Sequence, residues 1–221
     1  MITACKYPSY IFDLDGTLTD SSIAIGEGVI AALHEVGINH LTITEVRKWI
    51  GRPLSEIFPA YMKQYKVPYD YDEILERRLV EAYRRGHDAH FPVGVKYYPS
   101  VLETLTHLRS CGAKIAVATT KYEEAAMSVA KGIGLLEHVD TICGTDPGFS
   151  VKPDPYVIQL ALTRLNARPF ETLVVGDTAA DILAAHSAGC PAAAVSYGFG
   201  NITDMRKAKP EFWLDSIREI P

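Results

Sequence analysis

The sequence predicts a doubly wound α/β layer interrupted by an all-helical segment, and three observations carry that prediction. Short apolar runs ending in small or acidic residues recur along the chain. Segments with helical spacing separate the later ones. One long interval shows helical spacing and no convincing strand pattern.

The apolar runs are Tyr10–Leu14, Lys114–Ala118, Thr172–Val175 and Ala192–Val195. Unbroken apolarity over so few residues reads as a strand covered on both faces, as in a parallel sheet. The intervening helices are expected over Val101–Arg109, stopped near Gly112, and Glu123–Lys131, stopped at Gly132. Pro155–Asn166 opens on a proline suited to a first helical turn, and Asp181–Ser187 stops near Gly189. Alternating strands and helices imply a parallel, Rossmann-like sheet. From Ser21 to Phe91 the pattern is helical only: Ile23–Val36, Ile43–Ile50, Leu54–Tyr65 with Pro59 expected to kink or split it, and Glu73–Arg85 ending at Gly86. The expected organisation is an α/β core of residues 1–20 and 92–221, with a helical domain at 21–91 inserted after the first strand.

A chain of 221 residues, 48% hydrophobic and 22% charged, has the composition of a soluble globular protein with a substantial core. A net charge of -5 argues against a nucleic-acid partner, which needs a basic face. No run is long and apolar enough to suggest a transmembrane helix or a leader, so a cytoplasmic protein with no membrane partner is expected. Cys5, Cys111, Cys143 and Cys190 form no C-x-x-C pair, and reduced thiols are expected in preference to disulfides or a zinc site.

Ligands of open α/β sheets bind outside the carboxyl ends of the strands. The first strand ends in Asp13-Leu14-Asp15-Gly16-Thr17 and the third in Gly176-Asp177, with Asp181 four residues further on. The D-x-D pair alone is equally readable as a helix-capping or hydrated strand end, and Asp181 alone as an acid favoured by a helix N-terminus. Together, up to four carboxylates in one crevice need a divalent cation and a lysine. Hard oxygen donors point to Mg²⁺. Lys114–Ala118 ends in Thr119-Thr120-Lys121, where a hydroxyl and turn N–H groups suit a phosphate, although a lone threonine there reads first as a helix N-cap. Lys152 lies between Val151 and Pro153; flanking prolines favour an aimed lysine over a solvated one. No G-x-x-x-x-G-K-[ST] or H-E-x-x-H motif competes, and Gly132–Gly134 and Gly198–Gly200 read as turns.

The four pieces, in this order, resemble the haloacid dehalogenase superfamily of phosphohydrolases over nearly the whole chain. The resemblance implies that Asp13 is the nucleophile that forms an aspartyl-phosphate, and that Asp15 is the acid and base. It implies that Asp13, Asp177 and the Asp15 carbonyl bind Mg²⁺, that Thr119 and Lys152 hold phosphoryl oxygens, and that Asp181 orients Lys152 or a metal-bound water. The helical segment resembles the superfamily's α-helical cap. Asp15 argues against the dehalogenases and ion pumps of the superfamily.

Trp49–Leu54 and Val195–Gly200 resemble phosphoglycolate phosphatases and related pyrophosphatases. Thr120 departs from the asparagine common at that place in relatives. Arg52 is the first candidate in the cap for contacting a leaving group, weighed equally against a solvated arginine. Tyr61 and Met62 are expected to be packing residues. The resemblance implies a phosphatase acting on a small-molecule phosphate ester; a monomer or a homodimer is expected, since helical caps offer apolar faces for dimers. A pyrophosphatase or nucleotidase, and a phosphosugar mutase of the β-phosphoglucomutase type, are the alternatives.

Overall fold

The computed structural model describes residues 5–221. Its strands are β1 (Ser9–Phe12), β2 (Thr19–Asp20), β3 (Lys96–Tyr97), β4 (Lys114–Ala118), β5 (Thr141–Cys143), β6 (Thr172–Gly176), β7 (Ala192–Val195) and β8 (Phe212–Leu214). Its α-helices are α1 (Ser22–His34), α2 (Ile43–Val46), α3 (Leu54–Gln64), α4 (Glu73–His90), α5 (Val101–Ser110), α6 (Glu123–Gly132), α7 (Tyr156–Leu165), α8 (Ala179–Ser187) and α9 (Ile202–Ala208). Among the described residues, no helix is long and apolar enough to cross a membrane.

The chain divides into two compact units. One comprises the chain up to Asp20 together with Tyr97–Pro221; the other is Ser21–Lys96. The return to the first unit thus falls at Lys96–Tyr97, where the sequence had suggested Phe91.

The first unit holds a parallel six-stranded sheet in the order β5-β4-β1-β6-β7-β8. Both β1 and β6 are buried along their whole length, which is why they read as unbroken apolar runs. On one face Ile11, Ala116, Ala118 and Val174 pack with Val157, Ile158 and Ala161 of α7 and Ile182 and Ala185 of α8. Strand order reverses direction around β1, whose neighbours are β4 and β6. The crevice outside the carboxyl ends of these three strands is therefore the topological switch point.

Two strands of this sheet escaped the pattern. β5 and β8 are three-residue edge strands, too short for either period to declare itself.

In the second unit, Thr42 caps α2 with a capping box to Glu45, and the expected Ile43–Ile50 helix passes into a 3₁₀ turn over Arg47–Trp49. α3 continues through Pro59 without splitting. Gly86 does not end its helix: α4 runs on to His90. A Cβ at Gly86 would meet the Ala31 side chain and the Glu27 carbonyl of α1, so this glycine is a close-packing site between helices. Sequence alone does not separate that role from a stop signal.

The cysteine expectation is corrected. Cys5 and Cys111 form a disulfide across a sequence separation of 106, with Cα atoms 6.1 Å apart. Adjacency of β1 and β4 brings the segment before β1 beside the end of α5. Cys143 and Cys190 are free and buried, as expected.

Candidate active site

Asp13 directly follows β1, and its N–H continues the ladder by donating to the Val175 carbonyl at 2.9 Å. The residue is only 9% exposed. Behind it the chain turns sharply: the N–H groups of Leu18 and Thr19 both donate to the Leu14 carbonyl, at 3.0 and 2.9 Å. This turn requires Gly16, which has φ +100°.

Lys152 is buried, and its ammonium donates to Asp13 Oδ1 at 2.8 Å, Asp181 Oδ1 at 2.6 Å and the Ala118 carbonyl at 2.7 Å. Those three bonds use every donor a lysine has, so the head group is fixed at the ends of β1, β4 and β6. Asp181 also serves as the N3 acid of the capping box at α8, its Oδ2 accepting from the Thr178 N–H at 3.0 Å. One carboxylate oxygen thus serves the helix N-terminus and the other accepts from Lys152.

Asp177 is fully buried at the end of β6. The Phe199 N–H donates to its Oδ2 at 2.7 Å, and the Thr17 hydroxyl reaches its Oδ1 at 3.4 Å. Tyr197 donates its hydroxyl to the Thr17 carbonyl at 2.9 Å, tying the two loops together. A Cβ at Gly198 would strike the Asp177 side chain, and one at Gly200 would strike the Asp177 carbonyl. The Gly198–Gly200 run, which read as a plain turn, is a collar around this carboxylate. Gly200→Ala is expected to cost roughly 1–3 kcal/mol, because the clash is with backbone and no rotamer relieves it. Thermal melting checks the stability loss; an unchanged Tm would mean the loop has room to move away.

Thr119 is buried at the end of β4, its N–H bonded to the Cys143 carbonyl at 3.0 Å and its hydroxyl accepting from the Lys121 N–H at 3.3 Å. Thr120 beside it is half-buried. Lys121, quoted in the sequence only as the end of its motif, pairs with Asp15 Oδ2 at 2.8 Å. Thr119, Lys121, Lys152, Asp13, Asp15, Asp177 and Asp181 are thus all carried by the segments that follow the carboxyl ends of four adjacent strands, β5, β4, β1 and β6.

Arg52 belongs to the second unit, exposed, with its guanidinium 5.1 Å from the Trp49 ring centroid and 3.9 Å from Glu56. Tyr61 and Met62 are buried there, as packing residues should be.

Burial pushes the Asp13 carboxyl up to about 7; the Lys152 charge opposes this, and the charges of Asp181 and Asp15 add to it. Asp177 is raised well above the usual carboxylate range by burial and by the charges of Asp13 and Asp181. Burial alone would lower Lys152, but its attraction to Asp13 and Asp181 outweighs that and raises it. Four acids, Asp13, Asp15, Asp177 and Asp181, face two lysines, Lys121 and Lys152, an excess of two negative charges when all are ionised. That excess equals the charge of one divalent cation. The donors available to it are hard oxygens, the carboxylates of Asp13 and Asp177 and the backbone carbonyl of Asp15, so the residues fit such an ion.

The family profile of the haloacid dehalogenase-like hydrolases matches residues 10–195. Pyrophosphatase PpaX of Bacillus cereus (strain ATCC 10987 / NRS 248) is 31% identical over 215 residues, covering 97% of this chain and 95% of its own. Among solved structures, a predicted phosphoglycolate phosphatase from Haemophilus somnus 129pt superposes with a TM-score of 0.86 at 25% identity, over 97% of this chain and 96% of that one. A β-phosphoglucomutase from Clostridium difficile shares the fold, with a TM-score of 0.80 at 21% identity over 97% and 93% of the two chains. The match along most of the sequence agrees with the six-stranded parallel sheet and the strand-end acids, and this chain belongs to the haloacid dehalogenase-like hydrolase family.

Proposed function

We propose that this protein is a Mg²⁺-dependent phosphatase that hydrolyses a small, phosphoglycolate-like phosphomonoester through an aspartyl-phosphate on Asp13. The observation that carries the reading is the lysine shared between Asp13 and Asp181, which holds the nucleophile at the switch point of the sheet. An Asp13 oxygen attacks phosphorus as the bond to the leaving oxygen breaks, and Asp15 gives that oxygen a proton. Water then attacks the aspartyl-phosphate while Asp15 takes its proton, releasing phosphate and restoring Asp13. Thr119 and Lys152 hold the phosphoryl oxygens, Thr120 lines the same turn, and Asp181 keeps Lys152 aimed. Asp13, Asp177 and the Asp15 carbonyl would hold Mg²⁺, which would neutralise charge on the phosphoryl oxygens. The helical unit corresponds to the cap of the family, and Arg52, exposed on it, is the candidate for recognising an anionic leaving group.

Phosphate release should be measured with Mg²⁺ across phosphoglycolate, pyrophosphate, nucleoside monophosphates and sugar phosphates. Phosphoglycolate is expected to lead, and chelation is expected to stop turnover. Hydrolysis that survives complete metal removal would refute the reading.

Pyrophosphate is the second reading. PpaX, matched along its length, is named a pyrophosphatase. Lys121 also carries a positive charge beside Asp15, the acid proposed to serve the leaving oxygen, and that charge suits a leaving phosphate better than a neutral alcohol. Faster turnover of pyrophosphate than of any monoester would select it.

Metal affinity should depend on pH with a definite sign. Protons compete for Asp13 and Asp177, whose carboxyls are raised by burial. Mg²⁺ should therefore lift the Tm more at about pH 8 than at about pH 5. An equal lift at both would argue that the ion sits elsewhere.

A further inference from the structure

We propose that, once their disulfide is reduced, Cys5 and Cys111 join His107 in a second metal site, selective for a thiophilic cation such as Zn²⁺. Among the described residues this is the one group of three such side chains whose ligand atoms all lie within 4.8 Å of one another. His107 and Cys111 are four residues apart at the end of α5, where the Cys111 N–H donates to the His107 carbonyl at 3.1 Å. That spacing puts both side chains on one helix face. Cys5 reaches them from the segment before β1.

The spacing of His107 and Cys111 suits zinc, and reduction frees the two sulfurs to separate. With Zn–S about 2.3 Å and Zn–N about 2.0 Å, tetrahedral ligands stand about 3.5–3.8 Å apart. Cys111 Sγ lies 3.9 Å from His107 Nε2. His107 is exposed and both sulfurs are half-buried, so a fourth position is open to water. The carboxyl end of a helix also favours a cation.

This site is distinct from the aspartate crevice in place and in chemistry. Cys5 precedes β1, whereas Asp13 follows its far end. Two sulfurs and an imidazole select against Mg²⁺, and carboxylates select for it. The disulfide and the metal exclude each other. A dithiol or phosphine reductant supplies two electrons, and two protons are taken up, giving two thiols. Both thiol protons are then released as the two sulfur–metal bonds form. Occupancy of this site thus reports the redox state of the Cys5–Cys111 pair.

Titration of the phosphine-reduced full-length protein with Co²⁺ tests the proposal. One equivalent should produce a thiolate-to-cobalt charge-transfer band, which the sulfur-free aspartate site cannot give, and Zn²⁺ should displace it. Cys5→Ser and Cys111→Ser should lose the band. His107→Ala, an exposed change that leaves the fold intact, should keep sulfur ligation but bind roughly 10-fold or more weakly. No band in the reduced wild type, a pair that cannot be reduced, or unchanged affinity in His107→Ala would each overturn it.

Discussion

Asp13→Asn should lower kcat by roughly 10⁴-fold or more while leaving the metal-free protein at least as stable near neutral pH. The amide nearly matches the carboxylate in shape but does not attack phosphorus, so the covalent route is closed. Stability moves differently because Asp13 is one of four acids facing two lysines. Its carboxyl is raised to about 7, chiefly by burial. A group raised on folding favours the folded state below its unfolded pKa, near 4, and that contribution is lost as pH rises through about 7. Removing the carboxylate should leave the Tm unchanged near pH 4 and bring a growing advantage toward neutrality. Lys152 keeps Asp181 and the Ala118 carbonyl as partners in the variant. The Tm increment from Mg²⁺ should shrink, since one of its donors has gone. Single-turnover phosphate release and melting curves with and without metal check all three outcomes. A variant melting well below wild type at about pH 8 would show that the Asp13–Lys152 pair outweighs the repulsion.

The residues of the crevice stand out in the sequence because each breaks a strong local pattern. Asp13 and Asp177 end runs of apolar residues where an acid has no packing role, and Lys152 sits against a proline. The structure brings these groups together because β5, β4, β1 and β6 are neighbours in the sheet; alternating strands and helices imply its parallel sense but not this order, and Lys152 follows β5, which the pattern missed. What stayed hidden depends on contacts between distant segments. Gly198 and Gly200 matter through the Asp177 atoms beside them, and Gly86 through the surface of α1; a glycine in a sequence carries no record of either. Cys5 and Cys111 become partners only once β1 and β4 are paired. Lys121 was visible, but its ion pair with Asp15 needed the geometry of two strand ends.

Lys152→Met should be the most destabilising single change at this site. A methionine fits the volume of the stem, so the loss is almost entirely that of the charge and its three bonds. It leaves Asp13 and Asp181 facing each other in a buried niche without the cation between them. Removing one partner of a buried pair typically costs about 3–5 kcal/mol. For a chain of this size that corresponds to a Tm loss of roughly 6–20 °C. The loss should be greatest at high pH and should ease as pH falls, because without Lys152 the raised carboxyl of Asp13 takes up its proton more readily. Lys152→Arg keeps the charge but must fit a larger planar head into the same space, so its stability should fall between methionine and wild type. Both variants should lose phosphatase turnover. Adding Asp181→Asn to Lys152→Met removes the second acid left behind, and it should recover part of the lost Tm. The same change alone should destabilise, through loss of the Lys152 bond and weakening of the α8 cap. That reversal of sign between backgrounds is the signature of a directly coupled pair. Additive effects of the two substitutions would mean that Lys152 and Asp181 act independently, and the account of a single shared lysine would fail.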